Sequence, residues 1–278
     1  MRPATVIFAL AVSVKAAPTS PHLALEANPV DALDNLSGYF NLVAVKVQAA
    51  KTLASAPSCD LSRARMPTLG LNALPSPDRG LTVRHVAVGR GTQNYTCEAN
   101  NPEASPKAAG AMATLFNATC VAAVYPDILS RIPGMAVHFD LEESEKLGPT
   151  GMTKSGVHYF LDSSTPFFNL DTPAQDIGQV HAAKNSSSNA PSTAAVGQLH
   201  EKAVAWLRLT SKHGTTGDIK EVYRVDTAGG SAPASCKGMP SRFEVQYAAV
   251  QQQQLMMKAK HFEIGVLRRQ GEMVLAPG

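Results

Sequence analysis

TVRHVAVGRGTQNYTC, running from Thr82 to Cys97, decides the fold. Val83, His85 and Ala87 alternate with Arg84, Val86 and Val88, the period-two pattern of a strand with two half-apolar faces. Gly89-Arg90-Gly91 then reads as a tight reversal, because glycine takes positive φ without steric cost. Thr92, Asn94 and Thr96 alternate with Gln93, Tyr95 and Cys97 as a second strand. The stretch is therefore expected to be a β-hairpin ending on a cysteine. A dinucleotide fingerprint needs Gly-x-Gly-x-x-Gly opening a helix. Here Asn94 stands at the sixth place and a strand pattern follows.

Outward from that stretch, the chain begins as an exported protein does. Met1-Arg2 is basic, Ala4 to Val14 is almost wholly apolar, and Val14-Lys15-Ala16 fits a small-residue cleavage site. The expected signal peptide is 1–16, with a mature start near Ala17. No later run of about 18 apolar residues exists, so no membrane span is expected. Loss of Arg2 and Lys15 leaves 23 basic against 22 acidic side chains, a formal charge of +1. That balance gives no electrostatic case for nucleic acid or an anionic membrane.

Four cysteines, Cys59, Cys97, Cys120 and Cys236, suit an oxidising compartment and are too scattered for a zinc site. Two disulfides are expected, in any of three connectivities. Four glycosylation sequons agree with export: Asn35-Leu36-Ser37, Asn94-Tyr95-Thr96, Asn117-Ala118-Thr119 and Asn185-Ser186-Ser187.

Between 17 and 56 lies a polar leader followed by one amphipathic helix. Leu33, Leu36, Phe40, Val43, Val47 and Leu53 recur at three- and four-residue steps, and Asp31 or Asp34 caps the start. A disulfide-bonded β domain is expected over 57–249. Its strands are read at Gly110–Cys120, Gly156–Leu161, Ala203–Thr210, Glu221–Thr227 and Phe243–Ala249, with Ala228-Gly229-Gly230 as a turn. Asp171 to Val196, low in bulky apolar residues, reads as a long loop. Short strands without a βαβ rhythm or an internal repeat favour an all-β fold, an antiparallel sandwich or a closed barrel, carrying one N-terminal amphipathic helix and long irregular loops.

Four ordered segments carry a family resemblance: GRGTQNYTC (Gly89–Cys97), GVHYF (Gly156–Phe160), AVAWLRL (Ala203–Leu209) and YRVDTAGGSAPASC (Tyr223–Cys236). They resemble a secreted family of fungi and bacteria, domain of unknown function 3455, over roughly Pro57 to Ala249. Fungal members often carry the label malate dehydrogenase by annotation transfer. The resemblance implies a secreted domain and supplies no catalytic residues. It implies the pairing Cys97–Cys236, which leaves Cys59–Cys120. The chain departs from the family in two places. Asp226 stands where Asn is common. After Tyr247-Ala248-Ala249, where members end in an aromatic strand, the chain continues as Val250, four glutamines, Leu255 and Met256. The segment 250–278 therefore reads as a divergent tail of helical propensity, leaving an open sheet edge.

For chemistry, the chain has no Gly-x-Ser-x-Gly elbow and no His-Glu-x-x-His helix. No metal site and no cofactor are expected, and no nicotinamide-dependent dehydrogenase activity. Asp162, Asp171 and Asp226 are carboxylates that a glycosidase could pair. The residues singled out for ligand binding are Arg90, Tyr95, His158, Tyr159, Trp206, Arg224 and Asp226, because sugars are held by aromatic faces with polar groups around the ring. Each has a structural alternative. Trp206 suits a core, His158 a hydrogen-bonded structural role, and Arg224 with Asp226 an ion pair on one strand face. Two functions remain. One is a non-catalytic extracellular binding or structural module, acting at the cell wall or on carbohydrate. The other is a secreted hydrolase or lyase whose site is assembled from dispersed strands.

Overall fold

The structure, a computed structural model, describes residues 59–64 and 74–256. The expected signal peptide, leader and 31–54 helix with Asn35, and the residues beyond Met256, lie outside the described residues. Eight strands close into an antiparallel barrel in chain order: β1 (Leu81–Thr96), β2 (Lys107–Asn117), β3 (Lys154–Phe160), β4 (Pro166–Asn169), β5 (Gln179–Ser188), β6 (Trp206–Ser211), β7 (Ile219–Gly229) and β8 (Arg242–Met256). Three short helices follow β2: α1 (Thr119–Val124), α2 (Pro126–Leu129) and α3 (Ile132–Ala136). Of the two expected architectures, the barrel is the one formed, and every strand pairs with its sequence neighbours.

The expected hairpin is one strand of 16 residues. Gly89, Arg90 and Gly91 pair with Leu115, Thr114 and Ala113 of β2, and with Ala249, Ala248 and Tyr247 of β8. The glycines serve close packing, not reversal. A Cβ on Gly91 would stand 1.8 Å from the Met112 carbonyl oxygen and 2.6 Å from Ala113 Cα. Glycine inside a strand marks such an approach of a second backbone.

Register sorts the side chains into two layers. Ala87, Leu115, Phe168, Leu170, Val180, Ala182, Leu209, Ile219 and Val222 pack together in the barrel interior, with Ala111, Ala113, Val204, Tyr247 and Ala249 nearer one end. The alternate residues Val86, Val88, Phe116, Trp206, Tyr223, Val225, Ala248 and Val250 face outward. They pack under α1 to α3 against Leu129, Ile132, Ala136 and Val137. Burial of each such large side chain is worth about 1.5–3 kcal/mol.

Three further expectations are corrected. The stretch 171–196 holds β5, whose Val180 and Ala182 face the core. Its start pairs with β4, and its small, polar remainder is held as strand by pairing to β6. Val250 to Met256 is neither tail nor helix but the second half of β8, paired to β1 and β7. Two-sided pairing outweighs the modest helical propensity of glutamine, and no open edge results. The Gly110–Cys120 strand ends at Asn117, and Cys120 lies in α1.

The disulfides are Cys59–Cys120 and Cys97–Cys236. The first ties the segment 59–64 to α1. The second joins the end of β1 to the β7–β8 connection. Closing loops of 61 and 139 residues restrains the unfolded chain by about 4 and 5 kcal/mol in the chain-entropy treatment. On the outer face, Arg208 Nη2 reaches Asp78 Oδ1 at 2.6 Å and Glu221 Oε1 at 2.5 Å, and the Tyr223 hydroxyl donates to Glu221 Oε2 at 2.9 Å. This network moors the segment before β1 to the barrel wall. Among the described residues, no helix is long and apolar enough to cross a membrane.

Candidate binding site

One end of the barrel is formed by the end of β1, the start of β8, the end of β7, and residues 189–205, which connect β5 to β6. Backbone hydrogen bonds hold this connection over the end: Val204 N donates to Gly229 O at 2.9 Å and Ser231 N to Lys202 O at 3.0 Å. Between it and the β7–β8 connection runs a groove of about 1120 Å³. Phe243 and Val245 from β8 line it, with Leu199, His200, Glu201 and Lys202 from the connection. Leu199 is 82 % exposed and lines the groove with its side chain open to solvent. Glu201 Oε2 accepts from Leu199 N at 2.8 Å and so fixes the bend that presents it.

Behind the groove lies a polar patch of the barrel interior. Period-two alternation puts Tyr95, Gln93 and Gly91 of β1 beside Phe243, Val245 and Tyr247 of β8. Tyr95 stacks on Phe243 with ring centroids 5.5 Å apart, and its hydroxyl donates to Gly230 O at 2.7 Å. Gly230 must be glycine: its φ is +92° and a Cβ would meet Tyr247 Cβ at 2.7 Å. Arg224 enters from β7 with its guanidinium 6.0 Å from the Tyr247 ring centre, and Nη2 donates to Ala205 O at 2.8 Å. Burial pushes the Tyr247 and Tyr95 hydroxyls above the usual phenol range, against the pull of Arg224. Burial likewise lowers the Arg224 guanidinium, which nonetheless stays charged.

His158 sits deeper on the same interior face. Its Nδ1–H donates to Phe167 O at 2.9 Å, and its ring stacks on Phe168 at 4.2 Å. Burial holds it down at about 4, so it is neutral at physiological pH. Its ring nitrogen and its ring face are both engaged by β4.

Trp206 and Asp226 meet elsewhere. Both line a pocket of about 340 Å³ with Ser130, Arg131 and Thr227, and this pocket adjoins the groove through Pro191 and Ala194. The expected Arg224–Asp226 ion pair does not form. The β7–β8 register shifts between Val225 and Ala228, and Asp226 takes a left-handed φ of +47°. This bulge turns Asp226 away from Arg224. Asn and Asp are the non-glycine residues that best tolerate that conformation. Burial pushes the Asp226 carboxyl up to about 7.

Arg90 and Tyr159 belong to neither place. Arg90 faces outward, 5.3 Å from the Phe116 ring centre, and donates to Glu143 O, pinning the segment after α3. Tyr159 is on the outer surface against Phe167. Of the three carboxylates offered for a glycosidase pair, Asp162 and Asp171 cap turns at Thr165 and Gly178 and line neither cavity. The sequons divide as well: Asn117 and Asn185 are exposed, and Asn94 is half-buried. Among the described residues, no group of three or more metal-ligating side chains is present.

Sequence reasoning missed Tyr247, Gln93 and the groove residues around Leu199. Alternation through Phe243, Val245 and Tyr247 was the signal for the first. Nothing in the polar 189–205 stretch marked the last.

No curated protein and no solved structure matches the chain significantly. The family model described as Protein of unknown function (DUF3455) matches residues 77–250, more than half of the 278-residue sequence. That span takes in all of the barrel except the last six residues of β8, and both cavities. The chain therefore belongs to the DUF3455 family.

Proposed function

We propose that this is an exported, non-catalytic binding module that holds carbohydrate in the groove at the barrel end. The observation that carries the reading is the groove itself: about 1120 Å³, with Leu199 and Phe243 offering apolar faces among His200, Glu201, Lys202 and Ser231. Apolar contact to a ring face with polar groups at its rim is how sugars are commonly held. Export rests on the N-terminal signal pattern and agrees with two disulfides. The test is glycan-array binding by the secreted protein, repeated with Leu199→Glu and Phe243→Ala. Loss of binding in both variants supports the reading.

One observation favours a second reading, a hydrolase or lyase. Asp226, with a carboxyl at about 7, has the proton affinity of a general acid and lies in a pocket with Trp206 and Arg131. No second carboxylate lines that pocket, so a two-carboxylate glycosidase is not supported there. A broad hydrolase and lyase screen comparing wild type with Asp226→Asn separates the readings.

A further inference from the structure

The Asp226 carboxyl has no partner among the described residues. No hydrogen bond or salt bridge reaches it, and the β7 bulge parts it from Arg224. Burial alone pushes it up to about 7, and no neighbouring charge of either sign enters that shift. The buried carboxylate of Glu221 stands differently: Arg208 and the Tyr223 hydroxyl both meet it. A carboxylate drawn out of water without a counter-charge is costly, and the fold supplies none at Asp226.

Asp226 is nonetheless open to a ligand. It is half-buried, it lines the pocket of about 340 Å³, and neither of its oxygens is sealed in the wall. Trp206 forms another part of that wall, and Arg131 is the only other charged residue of the lining. Arg131 is exposed, and its guanidinium neither pairs with Asp226 nor shifts its carboxyl, so it stands off in solvent. Through Pro191 and Ala194 the pocket adjoins the groove, where the carboxylates of Glu201 and Glu244 stand with Lys202 and His200. The pocket thus offers an accessible, unpaired carboxylate in a wall shared with an indole.

We infer that the Trp206–Asp226 pocket binds an organic ammonium group, with Asp226 as its counter-ion. An ammonium donates charge-assisted hydrogen bonds to the free carboxylate oxygens and supplies the one charge the pocket lacks. Trp206 suits such a ligand, since indole attracts cations and packs against the carbon atoms that bear them. A metal ion fits less well, because no group of three or more ligating side chains exists among the described residues. The volume of about 340 Å³ lies at the small end of ligand pockets. The ammonium has two possible sources: an amino sugar, one ring of a chain lying in the adjoining groove, or a free small amine. The first rests on the carbohydrate reading and the second does not. A bound cation favours the ionised carboxylate, so at and below about pH 7 binding expels the Asp226 proton.

The experiment is calorimetric titration of the full-length, disulfide-bonded protein with choline, triglucosamine and tri-N-acetylglucosamine. Wild type and Asp226→Asn are compared at about pH 6.5 in two buffers of different ionisation enthalpy, with circular dichroism checking the fold. Asparagine keeps a residue that tolerates the left-handed φ of +47° and removes the charge. Choline is permanently charged, so any proton it releases comes from the protein. The expected result is choline binding with proton release in wild type, and at least tenfold weaker binding without release in Asp226→Asn. Triglucosamine bound at least tenfold tighter than its N-acetylated form, and only with Asp226 present, identifies the amino sugar. Asp226-dependent binding of choline with neither trimer bound upholds the ammonium site and removes the sugar source. Both trimers bound equally well by wild type and variant, with choline unbound, overturns the ammonium site and leaves carbohydrate binding standing. Choline bound without proton release, or no Asp226-dependent binding of either cation, overturns the inference.

Discussion

Arg224 and Asp226, two residues apart on β7, point to different places: Arg224 reaches Tyr247 inside the barrel, and Asp226 lines the pocket of Trp206. In a regular strand, side chains two apart share a face. The bulge after Val225, with Asp226 at φ +47°, breaks that rule. One extra residue on β7 thereby parts the Arg224 guanidinium from the Asp226 carboxylate.

Asp226 gives a pH signature. Its carboxyl is raised by burial from 3.8 to about 7, so the unfolded chain ionises first as pH rises. The folded state therefore loses stability between about pH 4 and 7 and levels off above that, by about 4 kcal/mol at most. Asp226→Asn keeps a residue that tolerates the left-handed conformation and removes the charge. Urea unfolding of wild type and variant should coincide near pH 3.5, with the variant pulling ahead by about 2–4 kcal/mol at pH 8. Parallel curves across this range would contradict it.

Gly91 and Gly89 should behave unlike each other. Gly91→Ala drives a Cβ into the Met112 carbonyl and should cost more than about 3 kcal/mol. Gly89→Ala meets Leu115 Cδ2 at 3.1 Å, a side-chain tip that can shift, and should cost about 1 kcal/mol. Thermal unfolding of the two variants checks the order, and a hairpin turn at this place would reverse or erase it.

The sequence made the strands legible where apolar residues alternate, as in Gly156–Leu161 and Phe243–Ala249, and it narrowed the fold to a sandwich or a barrel. It hid three things for physical reasons. The need for Gly91 is set by Met112 and Ala113 of β2, so locally it looked like a turn. The alanines and serines of β5 carry little apolar signal, and its place is fixed by strands on either side. The glutamines after Val250 read as tail because their strand partners are distant in sequence. For the candidate site, Tyr95, Arg224, Trp206 and Asp226 were singled out together, but a single bulge sends Arg224 and Asp226 to different places.

The second half of β8 is expected to be under-stabilised. Gln253 is fully buried, and neither its amide nitrogen nor its oxygen has a partner. Gln253→Met keeps the volume and removes the polar group, so it should stabilise the protein by about 1–2 kcal/mol. Chemical denaturation giving a lower midpoint for this variant would show that the amide is satisfied by bound water.

The Glu221 carboxylate, buried against Arg208, should be costly to delete. Glu221→Ala leaves the Arg208 charge in the wall and should lose about 3–5 kcal/mol, while Asp78→Ala, at the solvent side, should lose under about 1 kcal/mol. Replacing both buried partners, Arg208→Met with Glu221→Leu, should recover most of the loss. A double variant as unstable as Glu221→Ala would contradict this account of the network.

The central claim, that the barrel-end groove holds carbohydrate, is tested most directly by a glycan array probed with the secreted protein beside its Phe243→Ala and Leu199→Glu variants. The account predicts saturable binding to a defined set of glycans by wild type, at least tenfold weaker in both variants, with no glycan cleaved. An array left unbound by the folded wild type, or binding that both groove variants retain in full, would contradict it.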